Sequence, residues 1–166
     1  KVIPKLDNTA KAAFWVCLLT LCVAFVNWGL GLVFGALFAR KVAESKLKLG
    51  QAFNYPLIGA AGYSGLMVWH GGLSGSAPIK VAEQGHLYSL LSNSDFSFPD
   101  MISLSETIFS NMNLVISSLL LLILPIGLFF IVKRNQGKII SISSEEIKSE
   151  STKVDGAEKL DHSKIL

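Results

Sequence analysis

Two short stretches of this sequence place small polar and turn-forming residues inside apolar surroundings. Asn27–Gly31 (NWGLG) lies within the apolar segment Ala12–Ala39, and His70–Pro78 (HGGLSGSAP) follows the uncharged segment Tyr55–Trp69. Glycines let the backbone approach a ligand closely, while serine hydroxyls and free backbone N–H groups bind carboxylates. These residue types therefore predict a binding site for a small carboxylate, built from both stretches.

The candidate ligand-binding residues are few and specific. In the first stretch they are Asn27, Gly29 and Gly31, and in the second they are Gly72, Ser74, Gly75 and Ser76. We expect Ser76 to cap a half-helix that begins at Ala77, with Pro78 in its first turn. His70 is open to two interpretations: a proton relay, or a neutral imidazole that donates one hydrogen bond to the backbone.

The composition indicates a membrane protein. Of the 166 residues, 51% are hydrophobic and 16% are charged, whereas soluble domains average about 25% charged. The net charge of +3 is small and spread along the chain, which speaks against nucleic acid as a partner. The sequence has no catalytic Ser/His/Asp or Cys/His arrangement, no phosphate loop and no metal-ligand spacing, so we expect neither an enzyme nor a bound cofactor.

The first apolar segment has the wrong length for a simple membrane span. As one helix, Ala12–Ala39 would extend about 42 Å, whereas the hydrocarbon core is about 30 Å thick. It forms either a long tilted helix or a re-entrant hairpin of two half-helices with Asn27–Gly31 at the tip. Both flanks are basic, and the positive-inside rule would place both in the cytoplasm. The charges therefore favour the hairpin.

The later segments predict a broken helix and a spanning helix. Tyr55–Trp69 covers only about 22 Å before the glycine-rich stretch, and a second half-helix or interfacial turn would follow in Ala77–Leu91. Leu114–Val132 is long enough to span, with a kink at Pro125. We therefore expect an all-α polytopic membrane domain over residues 1–132, comprising a hairpin or long helix (12–39), a broken helix (55–91) and a spanning helix (114–132). Residues 133–166 would form a polar cytoplasmic loop or linker.

The interrupted helices themselves carry the functional argument. Irregular backbone at membrane depth is tolerated only inside protein or along a watery cavity, and transporters use such breaks to bind substrate near the midplane. The alternative is that the glycines only allow close helix packing, which is typical of Gly31-x-x-x-Gly35 and of Gly59, Gly62 and Gly65. We prefer packing for these last positions and ligand binding for Gly71–Pro78.

Two longer strings resemble the bacterial short-chain fatty acid transporter family. They are Val26–Ala43 (VNWGLGLVFGALFARKVA) and Tyr55–Pro78 (YPLIGAAGYSGLMVWHGGLSGSAP). The resemblance implies a multi-pass protein of the bacterial inner membrane. It also implies kinship with ion-coupled carboxylate transporters that have two inverted repeats, each with a re-entrant hairpin and a broken helix. In that case this chain would be part of an N-terminal half and would need the missing C-terminal half to complete its site. Lys80 departs from the expected apolar residue, so substrate preference is open.

The sequence thus predicts a secondary transporter for acetoacetate- or butyrate-like monocarboxylates, coupled to H⁺ or Na⁺. Its partners would be the monocarboxylate substrate, the lipid bilayer and the other half of the transporter, with homo-oligomer formation left open. The alternatives are a transporter of another carboxylate such as a dicarboxylate, a structural membrane subunit without transport activity, and, less favoured, a channel.

Overall fold

The computed structural model describes residues 8–50, 53–91, 97 and 99–135, and all regular secondary structure in them is helical. The elements in chain order are α1 (Thr9–Val26), α2 (Trp28–Lys48), α3 (Tyr55–Tyr63), a 3₁₀ segment (Ser64–Val68), α4 (Ser76–Val81), α5 (His86–Leu91) and α6 (Asn111–Arg134). The predicted all-α class is therefore confirmed. Most of the predicted polar linker, residues 136–166, lies outside the described residues.

The helices α1 and α2 form a hairpin and not one long helix. Asn27 alone separates them, with extended backbone at φ −146° and ψ 115°. Gly31 of α2 packs on Ala24 of α1, and Gly35 packs on Thr20. Gly35 follows Gly31 in α2, whereas its contact Thr20 precedes Ala24 in α1, so the two helices run antiparallel. The interruption is one residue, narrower than the predicted tip Asn27–Gly31, because Trp28 already begins the second helix.

The apolar part of α2 is short. The stretch Trp28–Ala39 rises about 18 Å before Arg40 and Lys41, which both form ion pairs with Glu44. The hydrogen bond from Lys41 is the main reason that the pKa of the Glu44 carboxyl lies below its ordinary value. Because Arg40 and Lys41 are both charged and exposed, the uncharged part of this arm is shorter than a hydrocarbon core of about 30 Å.

The helix α3 and the 3₁₀ segment pack closely on the hairpin through glycines. A Cβ at Gly62 would lie 2.6 Å from the carbonyl oxygen of Gly35, and one at Gly65 would lie 2.9 Å from the Ala24 Cβ. These positions accept no side chain without displacing backbone or a helix, as the packing interpretation of these glycines expects. Gly59 is different, since nothing would contact its Cβ within 4 Å.

The core surrounds α1, which packs against α2, α3, the 3₁₀ segment and α6. Its buried side chains are mostly small: Ala10, Ala12, Ala13, Val16, Cys17, Thr20, Leu21 and Ala24. By length and composition α1 and α6 are the described helices able to cross a membrane. The helix α6 contains Pro125 and begins three residues before the predicted Leu114, because Ser110 caps it by accepting a hydrogen bond from the Asn113 N–H at 3.3 Å.

The predicted second half-helix in Ala77–Leu91 is divided into two short helices. The helix α4 ends at Val81 and α5 begins at His86, and Gly85 adopts a positive φ of 72° between them. An L-residue with a side chain rarely adopts this conformation, so the glycine ends one helical run and allows the next. After the break the chain therefore forms two short helices of six residues each and not one long half-helix.

Candidate functional site

The two breaks lie in direct contact. The Leu73 N–H donates to the Phe25 carbonyl at 2.7 Å, and the Trp28 N–H donates to the Ser74 Oγ at 2.9 Å. A helix leaves its last carbonyls and first N–H groups without intrahelical partners. The residues 69–75, which we call the break loop, satisfy one such group at the end of α1 and one at the start of α2. The sequence placed the two stretches in one site, and the structure brings them together.

Gly72 makes this contact sterically feasible. It is buried, and a Cβ on it would lie 2.6 Å from the Phe25 carbonyl oxygen. This oxygen is a backbone atom, so it can move only if the end of α1 shifts. Gly75 is buried in the same way, with its would-be Cβ 2.6 Å from the His70 carbonyl oxygen. Both glycines therefore shape the break loop, and their predicted role in binding a ligand stays a prediction.

An aromatic stack joins the two breaks on one side. The rings of Trp28 and Trp69 are 4.5 Å apart and inclined by 27°, and the His70 ring stacks on Trp69 at 4.7 Å. The Trp69 Nε1 is buried and has no hydrogen-bond partner in the part of the chain that the structure describes. Most buried indole N–H groups have an acceptor, which makes this donor an exception.

The three predicted residues of the first stretch have different surroundings. Asn27 is exposed, and its side-chain oxygen caps α2 by accepting from the Leu30 N–H at 2.9 Å. Gly29 has only that oxygen near its would-be Cβ, at 3.5 Å, so it leaves open space at the tip. Gly31 is buried against Ala24, where a Cβ would come within 2.4 Å. Gly31 is thus a helix-packing position one turn below the tip, while Asn27 and Gly29 lie at the tip itself.

The two serines of the second stretch also differ. The Ser74 hydroxyl holds α2 by accepting from the Trp28 N–H, as described above. Ser76 is exposed, and the expectation that it caps a helix beginning at Ala77 is wrong, because α4 begins at Ser76 itself with Gly75 as its N-cap. Glycine has no side chain to accept from the first turn, so α4 has no side-chain cap. The Ser76 hydroxyl is therefore not used in capping.

The ionisable residues near the break loop are exposed. His70 lies at the surface on its stack with Trp69. Lys80 forms an ion pair with Glu83 at 2.9 Å, so the two charges largely cancel one turn into α4. The described residues hold no group of three or more His, Cys, Asp or Glu side chains arranged to bind a metal ion. The electrostatics of the site therefore come from hydroxyls, amides and helix termini.

Asn113 belongs to the site and was missed from the sequence. Its Nδ2 donates to the Gly71 carbonyl at 2.8 Å and to the Ile108 carbonyl at 2.7 Å. The side chain thereby ties the first turn of α6 to the break loop. The available signal was an asparagine at the start of a spanning segment, but the predicted segment began one residue later at Leu114.

The fold and site define a class of protein: a helical membrane protein in which a helical hairpin and a second interrupted helix converge at their breaks. The family model of the short-chain fatty acid transporter matches residues 1–166, so the chain belongs to the short-chain fatty acid transporter family. The name of the family describes transporters, which agrees with the class that the sequence predicted. No solved structure matches this chain.

Two curated proteins are similar to the chain, and both carry the name "Putative short-chain fatty acid transporter". The one from Haemophilus influenzae is 34% identical over 148 residues, which is 85% of this chain and 32% of that protein. The one from Escherichia coli K12 is 36% identical over 100 residues, which is 60% of this chain and 20% of that protein. The chain thus spans about a third or less of the length of each relative.

Proposed function

We propose that this chain forms half of the substrate site of a secondary transporter that carries short-chain monocarboxylates across the bacterial inner membrane. The carboxylate would bind where the hairpin tip meets the break loop. The observation that carries this proposal is the pair of hydrogen bonds between the breaks, from Leu73 to Phe25 and from Trp28 to Ser74. This contact brings the two polar stretches to one place, as a shared substrate site requires.

Several donors at this junction are suited to a carboxylate. Ser76 is exposed with its hydroxyl unused in capping, and the Trp69 indole N–H has no acceptor among the described residues. The Asn27 oxygen is committed to capping α2, so its side-chain N–H groups are the part that faces a ligand. Serine, indole and amide donors bind a monoanion without a full positive charge. The Lys80–Glu83 ion pair adds little net charge.

The transport cycle would be ion-coupled alternating access. The substrate would bind between the hairpin tip and the break loop, because transporters hold substrate at interrupted helices of this kind. The coupling ion would be H⁺ or Na⁺. If the coupling ion is H⁺, His70 in the break loop is the titratable side chain that would carry the proton.

The test is uptake of radiolabelled butyrate into proteoliposomes that contain the full-length transporter. We expect Ser76→Ala to raise the KM about tenfold, since a hydrogen bond to a charged group is worth about 1.5–3 kcal/mol and 1.4 kcal/mol is tenfold. Ser89→Ala is the matched control, because Ser89 is exposed on α5 and its hydroxyl donates locally to the His86 carbonyl. An unchanged KM in the Ser74→Ala and Ser76→Ala variants would favour a structural subunit.

Competition and gradients separate the remaining alternatives. Unlabelled acetoacetate should inhibit butyrate uptake, and succinate should not; the reverse order would indicate a dicarboxylate transporter. An imposed proton or sodium gradient should accelerate the initial rate. Uptake that neither gradient changes, and that does not saturate with butyrate, would contradict a coupled transporter and indicate a channel.

A further inference from the structure

A cavity lies at the end of the α1–α6 pair that is far from the break loop. Its volume is about 550 Å³, and its lining residues are Lys11, Phe14, Trp15, Ile126, Phe129 and Phe130. The first three residues belong to the beginning of α1 and the last three to the end of α6. The opposite end of α6, at Asn113, contacts the break loop. The cavity is therefore separate from the proposed substrate site by most of the length of α6.

The cavity has apolar walls and a positively charged rim. Apart from Lys11 all its lining residues are apolar, and Trp15 and Phe130 are about half exposed. Lys133 and Arg134 follow Phe129 and Phe130 by four residues, which places them one turn further out on the same face of α6. Lys11 precedes Phe14 and Trp15 by one turn in the same outward direction. An aromatic layer is thus bordered by three cations.

These cations have no protein counter-charge among the described residues. The ion pairs found there join Arg40 and Lys41 to Glu44 and Lys80 to Glu83, and none involves Lys11, Lys133 or Arg134. All three cationic residues are exposed. An aromatic layer next to a basic layer is typical of a membrane–water interface, and basic pockets between membrane helices bind anionic lipid headgroups.

We propose that this cavity binds one anionic glycerophospholipid. The acyl chains lie along Phe14, Trp15 and the aromatic pair of α6, and the phosphate lies at the rim beside Lys11. The cavity is largely open to the surface of the two helices, so an acyl chain can lie along it without being fully enclosed. The charge complementarity selects an anionic headgroup, because a zwitterionic lipid would bring its own cation to a rim that is already positive. A site of this kind also places the beginning of α1 and the end of α6 in a leaflet rich in anionic lipid.

The test is native mass spectrometry of the full-length transporter, mixed in detergent with equal amounts of phosphatidylglycerol and phosphatidylcholine. We expect phosphatidylglycerol adducts to exceed phosphatidylcholine adducts at least threefold. Lys11→Gln should reduce this ratio at least threefold, and Lys11→Arg should retain it. Lys48→Gln is the matched control: it removes the same charge from the exposed end of α2 and lies outside the cavity, so the ratio should stay as in the wild type.

Two results would overturn the proposal. The first is equal retention of the two lipids by the wild-type protein, which needs no variant and so does not depend on how a variant folds. The second is a Lys11→Gln protein that keeps the full preference for phosphatidylglycerol. Either result would mean that the cavity is filled by lipid chains or by another part of the transporter without recognition of a headgroup.

Discussion

At the scale of single residues, the junction is held by side chains that bind backbone and by glycines that leave room for it. Ser74 and Asn113 satisfy backbone groups on elements distant in sequence, at Trp28 and Gly71 respectively. These hydroxyl and amide groups therefore position the break loop before any ligand binds. The Ser76 hydroxyl is exposed and takes no part in capping, so it is not one of the groups that hold the junction together.

The positioning role of Asn113 gives a first prediction. Asn113→Ala removes two hydrogen bonds to buried or half-buried carbonyls, and leaving such groups unpaired costs about 1–3 kcal/mol each. We expect the full-length protein to lose several degrees in Tm and the KM for butyrate to rise, because the break loop loses its link to α6. Thermal unfolding in detergent and proteoliposome uptake measure the two effects.

Asn111→Ala is the matched control for this change. Asn111 is exposed in the same first turn of α6, so its loss should leave Tm and KM close to their wild-type values. Equal effects of the two substitutions would contradict a specific role of Asn113 and indicate a general weakening of the helix start.

At the scale of elements, each break is completed by the other. The helix α1 ends with a carbonyl that needs a donor, and α2 begins with an N–H that needs an acceptor, and the break loop supplies both. This reciprocity explains how non-helical backbone persists in an apolar region, where each unpaired polar group costs several kcal/mol. Movement of the break loop would therefore also release the tip of the hairpin.

The close approach of the two elements gives a second prediction. Gly72→Ala places a methyl group 2.6 Å from the Phe25 carbonyl oxygen, so the break loop must shift or its hydrogen bonds must lengthen. Overpacking of this kind costs about 1–3 kcal/mol. We expect a lower Tm and a loss of most butyrate uptake, measured on purified full-length protein.

Gly59→Ala separates this steric effect from a general effect of adding a methyl group. Nothing would lie within 4 Å of the new Cβ, and Gly59 is inside α3, where alanine is the better helix former by about 1 kcal/mol. Its Tm should be equal to or above that of the wild type. If Gly72→Ala behaves like Gly59→Ala, the contact between the breaks is not tight in the transporter.

At the scale of the whole molecule, the helices return the chain to the side from which it started. The hairpin brings the end of α2 back to the level of the start of α1, and the shared cavity shows that the end of α6 lies there too. The basic residues Lys11, Lys48 and Lys133 therefore lie toward one end of the group of helices. The break loop lies at the opposite end, and the turn between α4 and α5 follows the break loop in the chain. From the positive-inside rule we expect the basic end to lie in the cytoplasm.

This arrangement gives a third prediction, on membrane topology. We would place single cysteines at Lys48, Gln84 and Lys133 in a full-length protein from which other cysteines, including Cys17 and Cys22, have been removed. In vesicles of known orientation, a membrane-impermeant maleimide should label Gln84→Cys from the periplasmic side and the other two only from the cytoplasmic side. All three positions are exposed. Labelling of Lys48→Cys and Gln84→Cys from the same side would contradict a broken helix that crosses the membrane.

The sequence by itself determined the helical class and the interruption at the glycine-rich stretch, and it favoured a hairpin over one long helix in Ala12–Ala39. Hydrophobic length, flanking charge and the glycine-rich stretch are local properties of the chain, and they act through backbone preference and desolvation within a few residues. For the same reason the sequence showed the charged end of α2 and the polar stretch after α6. The family resemblance followed from two of these local strings.

Only the tertiary structure decided what the interrupted helices contact. Gly31 lies between two helices while Gly72 lies against a carbonyl, although both are glycines next to a break. The role of Asn113 and the cap at Gly75 likewise depend on groups brought close by folding. Hydrogen bonding and steric exclusion act over about 3 Å in space, so a sequence shows which residues are able to make such contacts, and folding selects the partners.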